Sequence, residues 1–468
     1  MLSAAAFLIL TVLSSITFVS PYPGSVWQSP ESRIIVNTSG DASRVRALVF
    51  GSQSGDAVLS VHLTPDGRTT VFTPQTPFTH GETVTVTVDD SSWDFTVWPD
   101  DPAPKELPEE GHEAIVPNLG PDLLTGLPEG FPGITFTPSG TLAEGYFLFA
   151  PIYFGTSNDE SYLVIMDNEG EPVMYRREKS GIFCVEVQSD GYLSYGLHRG
   201  VGNTWFYELD QSLCFVDSFH VEGYGTDIHD FSVLQDNNIL LVGVVHQIID
   251  MSQYVPGGDP NALVKGCILQ IQDRDHVPIF QWNSFDHIAV TDVATWVDLT
   301  SDYIDYIHCN SADEDVDGDL LISALGLCAG VKISRSTGDV IWSLGGTHAT
   351  LADFTIVGDP LGGFNGQHDF KGFGGGTYTL FDNGAHHVSQ QSRALVYQVD
   401  TLAMTATLSW SHSPGIYGSH AGSVQRMPDW TMIVGWGTVN GPADDFHEVS
   451  GSGEVRASCR YIPLPLDS

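Results

Sequence analysis

The sequence predicts an all-β protein, a six-bladed β-propeller preceded by a small β-sandwich, and three observations carry that reading. Short apolar β-type runs recur at intervals of roughly 35 to 55 residues from residue 145 onward, the period of a propeller blade. The 49 Gly and 26 Pro residues mark many turns and favour strands over long helices. Four histidines fall at one point of the repeat: His229 in DIHDF, His308 in DYIHCNS, His368 in NGQHDF and His420 in YGSHAG. Each is followed by turn residues and then an apolar run, at 238–243, 319–323, 377–381 and 431–436. Equivalent repeats deliver equivalent side chains to one place, so the four imidazoles are candidates for a shared central site.

Residues 1–20 read as a signal peptide or N-terminal anchor, because Leu2 to Val19 is apolar and uncharged although no basic residue precedes it. Residues 21–98 carry seven strand candidates separated by Gly, Pro, Asp or Ser, the pattern of a β-sandwich of immunoglobulin-like type without its disulfide. Residues 99–144 turn acidic and Pro-rich and read as a linker, with 134–137 as a stretch able to pair with the next domain. Residues 145–468 divide into six units of about four short strands each, which a propeller accommodates better than a β-solenoid with shorter, more even coils.

The 18 basic and 58 acidic residues give a net charge of −40, which excludes a nucleic-acid partner and an anionic membrane surface. Six cysteines form no C-x-x-C pair, so neither a zinc nor a redox motif is expected. The acidic run 311–319 lacks the spaced terminal Glu of a calcium loop and reads as a polar turn.

Eight stretches in order resemble the arylsulfate sulfotransferase family: 162–170 (YLVIMDNEG), 229–231 (HDF), 305–311 (DYIHCNS), 338–346 (GDVIWSLGG), 366–370 (GQHDF), 380–384 (LFDNG), 392–396 (SRALV) and 422–426 (GSVQR). The resemblance implies an exported sulfuryl transferase that needs no cofactor or metal. It implies an aryl sulfate donor, a phenolic acceptor and a sulfated histidine intermediate, and homodimerisation is a further expectation. The implied location is secreted or periplasmic. Residue by residue, the nucleophile falls on His368 and the supporting histidines on His308 and His229. Asn310, His420 and Arg393 are the expected substrate-binding residues, with Asp369 or Asp227 orienting a ring. Imidazole suits this chemistry, since it serves as nucleophile, hydrogen-bond donor and proton carrier near neutral pH. One departure stands out: Leu325 occupies the position of the family's arginine; Lys371 and Arg393 are candidate replacements from another blade, Arg393 at a family position that reads as structural, and His420 is a candidate donor instead. That departure motivates an alternative, a non-catalytic propeller binding an anionic or sulfated ligand. A metal site built on the histidines is a third reading.

Overall fold

Strict alternation of inward and outward side chains sets the strand geometry from the start. In Thr83–Val88 the valines are buried and the threonines face outward, as a half-buried strand requires. The computed structural model describes residues 15–89, 91–99, 127, 131–151, 161–198, 200, 202–439 and 443–462. It divides into two compact units, 1–100 with 277–281 and 101–276 with 282–468.

The first unit holds two four-stranded sheets, Ile16–Ser20, Ile34–Thr38, Thr69–Pro74 and Leu59–Leu63 in one, and Gly55–Asp56, Ala47–Gly51, Thr83–Val88 and Ser91–Thr96 in the other. Their inner faces share a core that includes Ile34, Val36, Phe72, Val84, Val86 and Phe95. The sandwich begins earlier than the expected boundary at 21. Ile16–Ser20 pairs antiparallel with Ile34–Thr38 and buries Phe18 and Ser20, so these residues belong to a sheet. The preceding part of the expected signal segment, 1–14, lies outside the described residues, as does most of the expected linker.

The second unit holds six consecutive antiparallel sheets, the blades. Blade one comprises Phe147–Phe149, Ser161–Met166 and Pro172–Glu178; blade two runs from Gly181–Val187 to Phe215–Phe219. Blade three has Gly225–Val233, Ile239–Ile249 and Ala262–Gln272 within this unit, and blade four runs from Cys309–Glu314 to Val340–Gly345. Blade five is His368–Gly372, Thr377–Asp382, Arg393–Asp400 and Thr405–His412, with Thr355–Val357 added in parallel. Blade six, Ser423–Arg426 to Val455–Ile462, gains Gly133–Pro138 as a fifth strand. The segment 133–138 therefore belongs to the propeller and not to the linker. Its Ile134 and Phe136 pack with Phe147 and Cys459, burial that a solvated linker would forgo.

Three of the four histidine motifs share one structural feature, a bulge in the first strand of the blade; the strand after His420, Ser423–Arg426, pairs in unbroken register. The register shifts between Thr226 and Phe231, between Cys309 and Ser311, and between His368 and Lys371. A bulge re-aims side chains out of the ladder. Within the HDF triplets it sends each residue to a different task. Phe231 and Phe370 enter the cores between blades. Asp230 accepts the Ala312 N–H at 2.9 Å and Asp369 the Val424 N–H at 2.6 Å, each stitching its blade to the next. Asp369 thus orients backbone, not an imidazole, whereas Asp227 does hold a ring.

Blades four and five share a cluster that includes Leu321, Trp342, Phe370 and Leu380. Leu380 is 1% exposed. Leu380→Ala is expected to cost about 2–5 kcal/mol and to lower the thermal midpoint of the propeller, measured by calorimetry.

Candidate active site

His229, His308 and His368 meet on the bulged ends of blades three, four and five. The His229 and His308 rings stand edge to face with centroids 5.2 Å apart. Burial, and then positive charge on either of these two rings, opposes protonation of His368. Strand-to-strand contact fixes the third ring relative to the second, since Asn310 Nδ2 donates to the Gln367 carbonyl at 2.8 Å. Gly326 permits a further close approach: a Cβ there would lie 2.4 Å from the Tyr306 carbonyl oxygen. The turn that carries His308, itself at φ 42°, thus rests on the turn at Leu325, where the Gly326 N–H donates to the Ile307 carbonyl at 2.9 Å.

Each supporting histidine is held by an aspartate just before it. Asp305 Oδ2 lies 2.8 Å from His308 Nδ1, and Asp305 Oδ1 accepts the His308 backbone N–H at 3.2 Å. Asp227 Oδ1 likewise holds both His229 Nδ1 and the His229 backbone N–H. With Nδ1 donating to a carboxylate, Nε2 of each ring is the atom left for chemistry. Burial works against the Asp227 carboxylate, yet His229, Lys265 and His308 outweigh it and hold the group well below the usual range. Burial likewise opposes the charged form of His229, and Asp227 overcomes it, raising that imidazole above its ordinary value.

His368 is prepared in the opposite sense. Its Nδ1 lies 2.7 Å from Asn383 Oδ1. The Asn383 amide cannot present its nitrogen there, because Nδ2 already donates to the carbonyls of Gly418 and Ala421 at 2.8 and 2.9 Å. His368 therefore carries its proton on Nδ1 and a lone pair on Nε2. Ala421, at φ 55°, directs its N–H to that lone pair at 3.2 Å. Burial first, then the positive charge of His229, pushes the His368 pKa down to about 3. The ring is neutral at physiological pH, with an unprotonated Nε2.

The remaining expected site residues separate from this group. His420 is exposed, with Nδ1 2.8 Å from the Ser419 hydroxyl, and its loop reaches His368 through the Ala421 N–H instead. Asn310 is buried, and its amide nitrogen serves the Gln367 carbonyl. Arg393 is not placed to bind substrate. It is 4% exposed, and its guanidinium donates to Asp382 at 2.7 and 2.8 Å, to Asp359 at 2.8 Å and to the Gly363 carbonyl at 2.9 Å. Lys371 is committed as well, 3.7–4.0 Å from Asp230, Glu186 and Asp313. Leu325 is half-buried and donates its N–H to the His308 carbonyl at 3.0 Å. No set of three or more His, Cys, Asp or Glu side chains among the described residues is arranged to hold a metal ion.

Three contributors were not assigned from the sequence. Asn383 lies inside the 380–384 stretch that carried the resemblance, so a signal for it existed. The Ala421 N–H left no trace in side-chain chemistry. Lys265 sits in a plain strand, with Nζ 3.1 Å from Asp305 and 3.8 Å from Asp227.

The arylsulfotransferase (ASST) family model matches residues 201–446, a span that contains every residue of this cluster. The chain belongs to the arylsulfotransferase family. Its members act on aryl sulfate donors and phenolic acceptors. No curated protein shows a significant match. Among solved structures, a protein of unknown function from Bacteroides caccae is 9% identical, covering 65% of this chain and 95% of its own, with a TM-score of 0.40. The periplasmic gluconolactonase PpgL of Pseudomonas aeruginosa is 11% identical, covering 68% and 96%, at 0.37. Virginiamycin B lyase from Staphylococcus aureus is 7% identical, covering 72% and 90%, at 0.33.

The site's electrostatics lead to two expected outcomes. Arg393→Ala leaves buried Asp382 and Asp359 without their cation and is expected to cost about 3–5 kcal/mol in denaturant unfolding. His368 has an ordinary pKa of 6.5 and a folded one of about 3. Between those values the unfolded chain binds a proton that the folded chain does not, so this residue's contribution destabilises as pH falls below 6.5. Unfolding free energies at pH 5 and pH 7 are expected to differ less in His368→Gln than in the wild type.

Proposed function

We propose that this arylsulfotransferase family member is an exported enzyme that moves a sulfuryl group from an aryl sulfate to a phenol through His368. The observation that carries this reading is the opposite preparation of neighbouring imidazoles. His368 is held neutral with its lone pair on Nε2, while His229 is held towards its charged form by Asp227. Groups pushed apart in this way mark a nucleophile and an acid.

In the first displacement His368 Nε2 attacks sulfur, the S–O bond to the aryl group breaks, and the departing phenolate takes a proton from His229 Nε2. The sulfated ring becomes positive, and Asn383 Oδ1, accepting from Nδ1–H, stabilises that charge. In the second displacement a phenol attacks sulfur and returns its proton to His229. The N–S bond breaks and restores the neutral His368, so protons and electrons balance over the cycle. The Ala421 N–H must leave Nε2 as sulfur arrives. Export is supported by the apolar, uncharged stretch 2–14 ahead of the first strand.

Leu325 is the feature that favours the alternative of ligand binding without turnover. Against it stands the preparation of His368 as a neutral imidazole by burial and Asn383, although an electrostatic clamp on the sulfuryl oxygens is ordinarily worth about 3–4 kcal/mol. Transfer from 4-nitrophenyl sulfate to phenol tests the matter. Wild type is expected to turn over, with one sulfuryl group trapped on the peptide containing His368 by mass spectrometry after rapid quench. His368→Ala is expected to lose about three orders of magnitude or more in kcat. Equal turnover by His368→Ala would falsify the assignment, and an inert wild type rescued by Leu325→Arg would show a disarmed site.

A further inference from the structure

We propose that Lys265 is a positioning residue for this reaction: its ammonium, shared between Asp227 and Asp305, joins the two aspartate–histidine pairs into one unit that carries a single transferable proton. The inference rests on the sulfuryl-transfer reading above and adds a residue and a charge balance to it.

The backbone dictates the arrangement. Tyr303–Asp305 leaves the connection between blades three and four to pair in parallel with Ala262–Gln272, and the register sets Lys265 opposite Asp305. The bulge after Thr226 brings Asp227 to the same ammonium from the first strand of blade three. Nζ lies 3.1 Å from Asp305 Oδ2 and 3.8 Å from Asp227 Oδ2, and the side chain is 14% exposed. The other oxygen of Asp227 holds His229, whereas Asp305 Oδ2 contacts Lys265 and His308 together. Each end of the imidazole pair is therefore anchored to one cation.

Charge counting gives the consequence. Two carboxylates and one ammonium leave one negative charge, which one imidazolium neutralises. Without the ammonium the same carboxylates would hold protons more tightly, and His229 would be a weaker acid towards a departing phenolate. The groups facing this unit are His198 from blade two, His368 from blade five, Tyr303 beside Lys265, and the Cys184 and Cys309 thiols near Asp227. Burial raises the Cys184 thiol well above its ordinary value, and a hydrogen bond with Cys267, then burial, does the same for Cys309. None of these supplies a second cation. With Lys371 and Arg393 committed elsewhere, Lys265 is the cation held against the catalytic pairs among the described residues.

Histidine-labelled full-length protein, titrated by nitrogen NMR with His229→Gln to assign the resonance, tests the proposal independently of activity. In Lys265→Met the His229 midpoint is expected to rise by about one pH unit or more. Lys265→Arg is expected to restore it. The alkaline limb of kcat/KM for the aryl sulfate should move by the same amount. An unmoved midpoint in folded Lys265→Met overturns the proposal. Should that variant fail to fold, Asp305→Asn replaces it, with the midpoint expected to fall and a static one again overturning the idea. A midpoint that moves as expected in a protein without sulfuryl transfer overturns the catalytic reading alone.

Discussion

The centre of the propeller depends on the bulge that the first strand of a blade makes at its motif. Regular ladders send successive side chains to opposite faces, and neither face of a packed blade is the channel. Breaking the register at 226–231, 309–311 and 368–371 turns each histidine out of that alternation. The same break frees an aspartate to bond the next blade and lets a phenylalanine fill the space between blades. Site construction and blade cohesion are thus one device, which explains why HDF occurs twice with the same division of labour.

Three imidazoles from one repeat position nevertheless have different chemistry. The difference lies in what meets Nδ1. A carboxylate at His229 favours the cation, and burial cannot overcome it. A neutral amide at His368 accepts one proton and offers no charge, so burial decides and the ring stays neutral. Asn383 is able to act in this way only because two backbone carbonyls fix its orientation. An aspartate in its place would favour the imidazolium instead of the neutral ring.

The cations are distributed with equal economy in a chain of net charge −40. Arg393 neutralises two buried carboxylates in blade five, Lys371 faces three acidic residues from other blades, and Lys265 serves the two histidine pairs. Each of these three cations is paired with carboxylates.

The sequence by itself determined the all-β class and the six repeats, and it singled out His229, His308 and His368, which the fold brings together, because repeat period and motif order are one-dimensional properties. It also contained Asn383, within a stretch already singled out. The limits of the sandwich and linker were decided in three dimensions. Ile16–Ser20 and Gly133–Pro138 are strands because partners far along the chain complete their hydrogen bonds. The roles of Asp369 and Lys265 were likewise invisible, since a charged side chain acts on whatever lies within a few ångströms of it. Parallel pairing at 303–305 brings Lys265 to Asp305 across 40 residues of chain, and nothing in the spacing of either residue announces that neighbour.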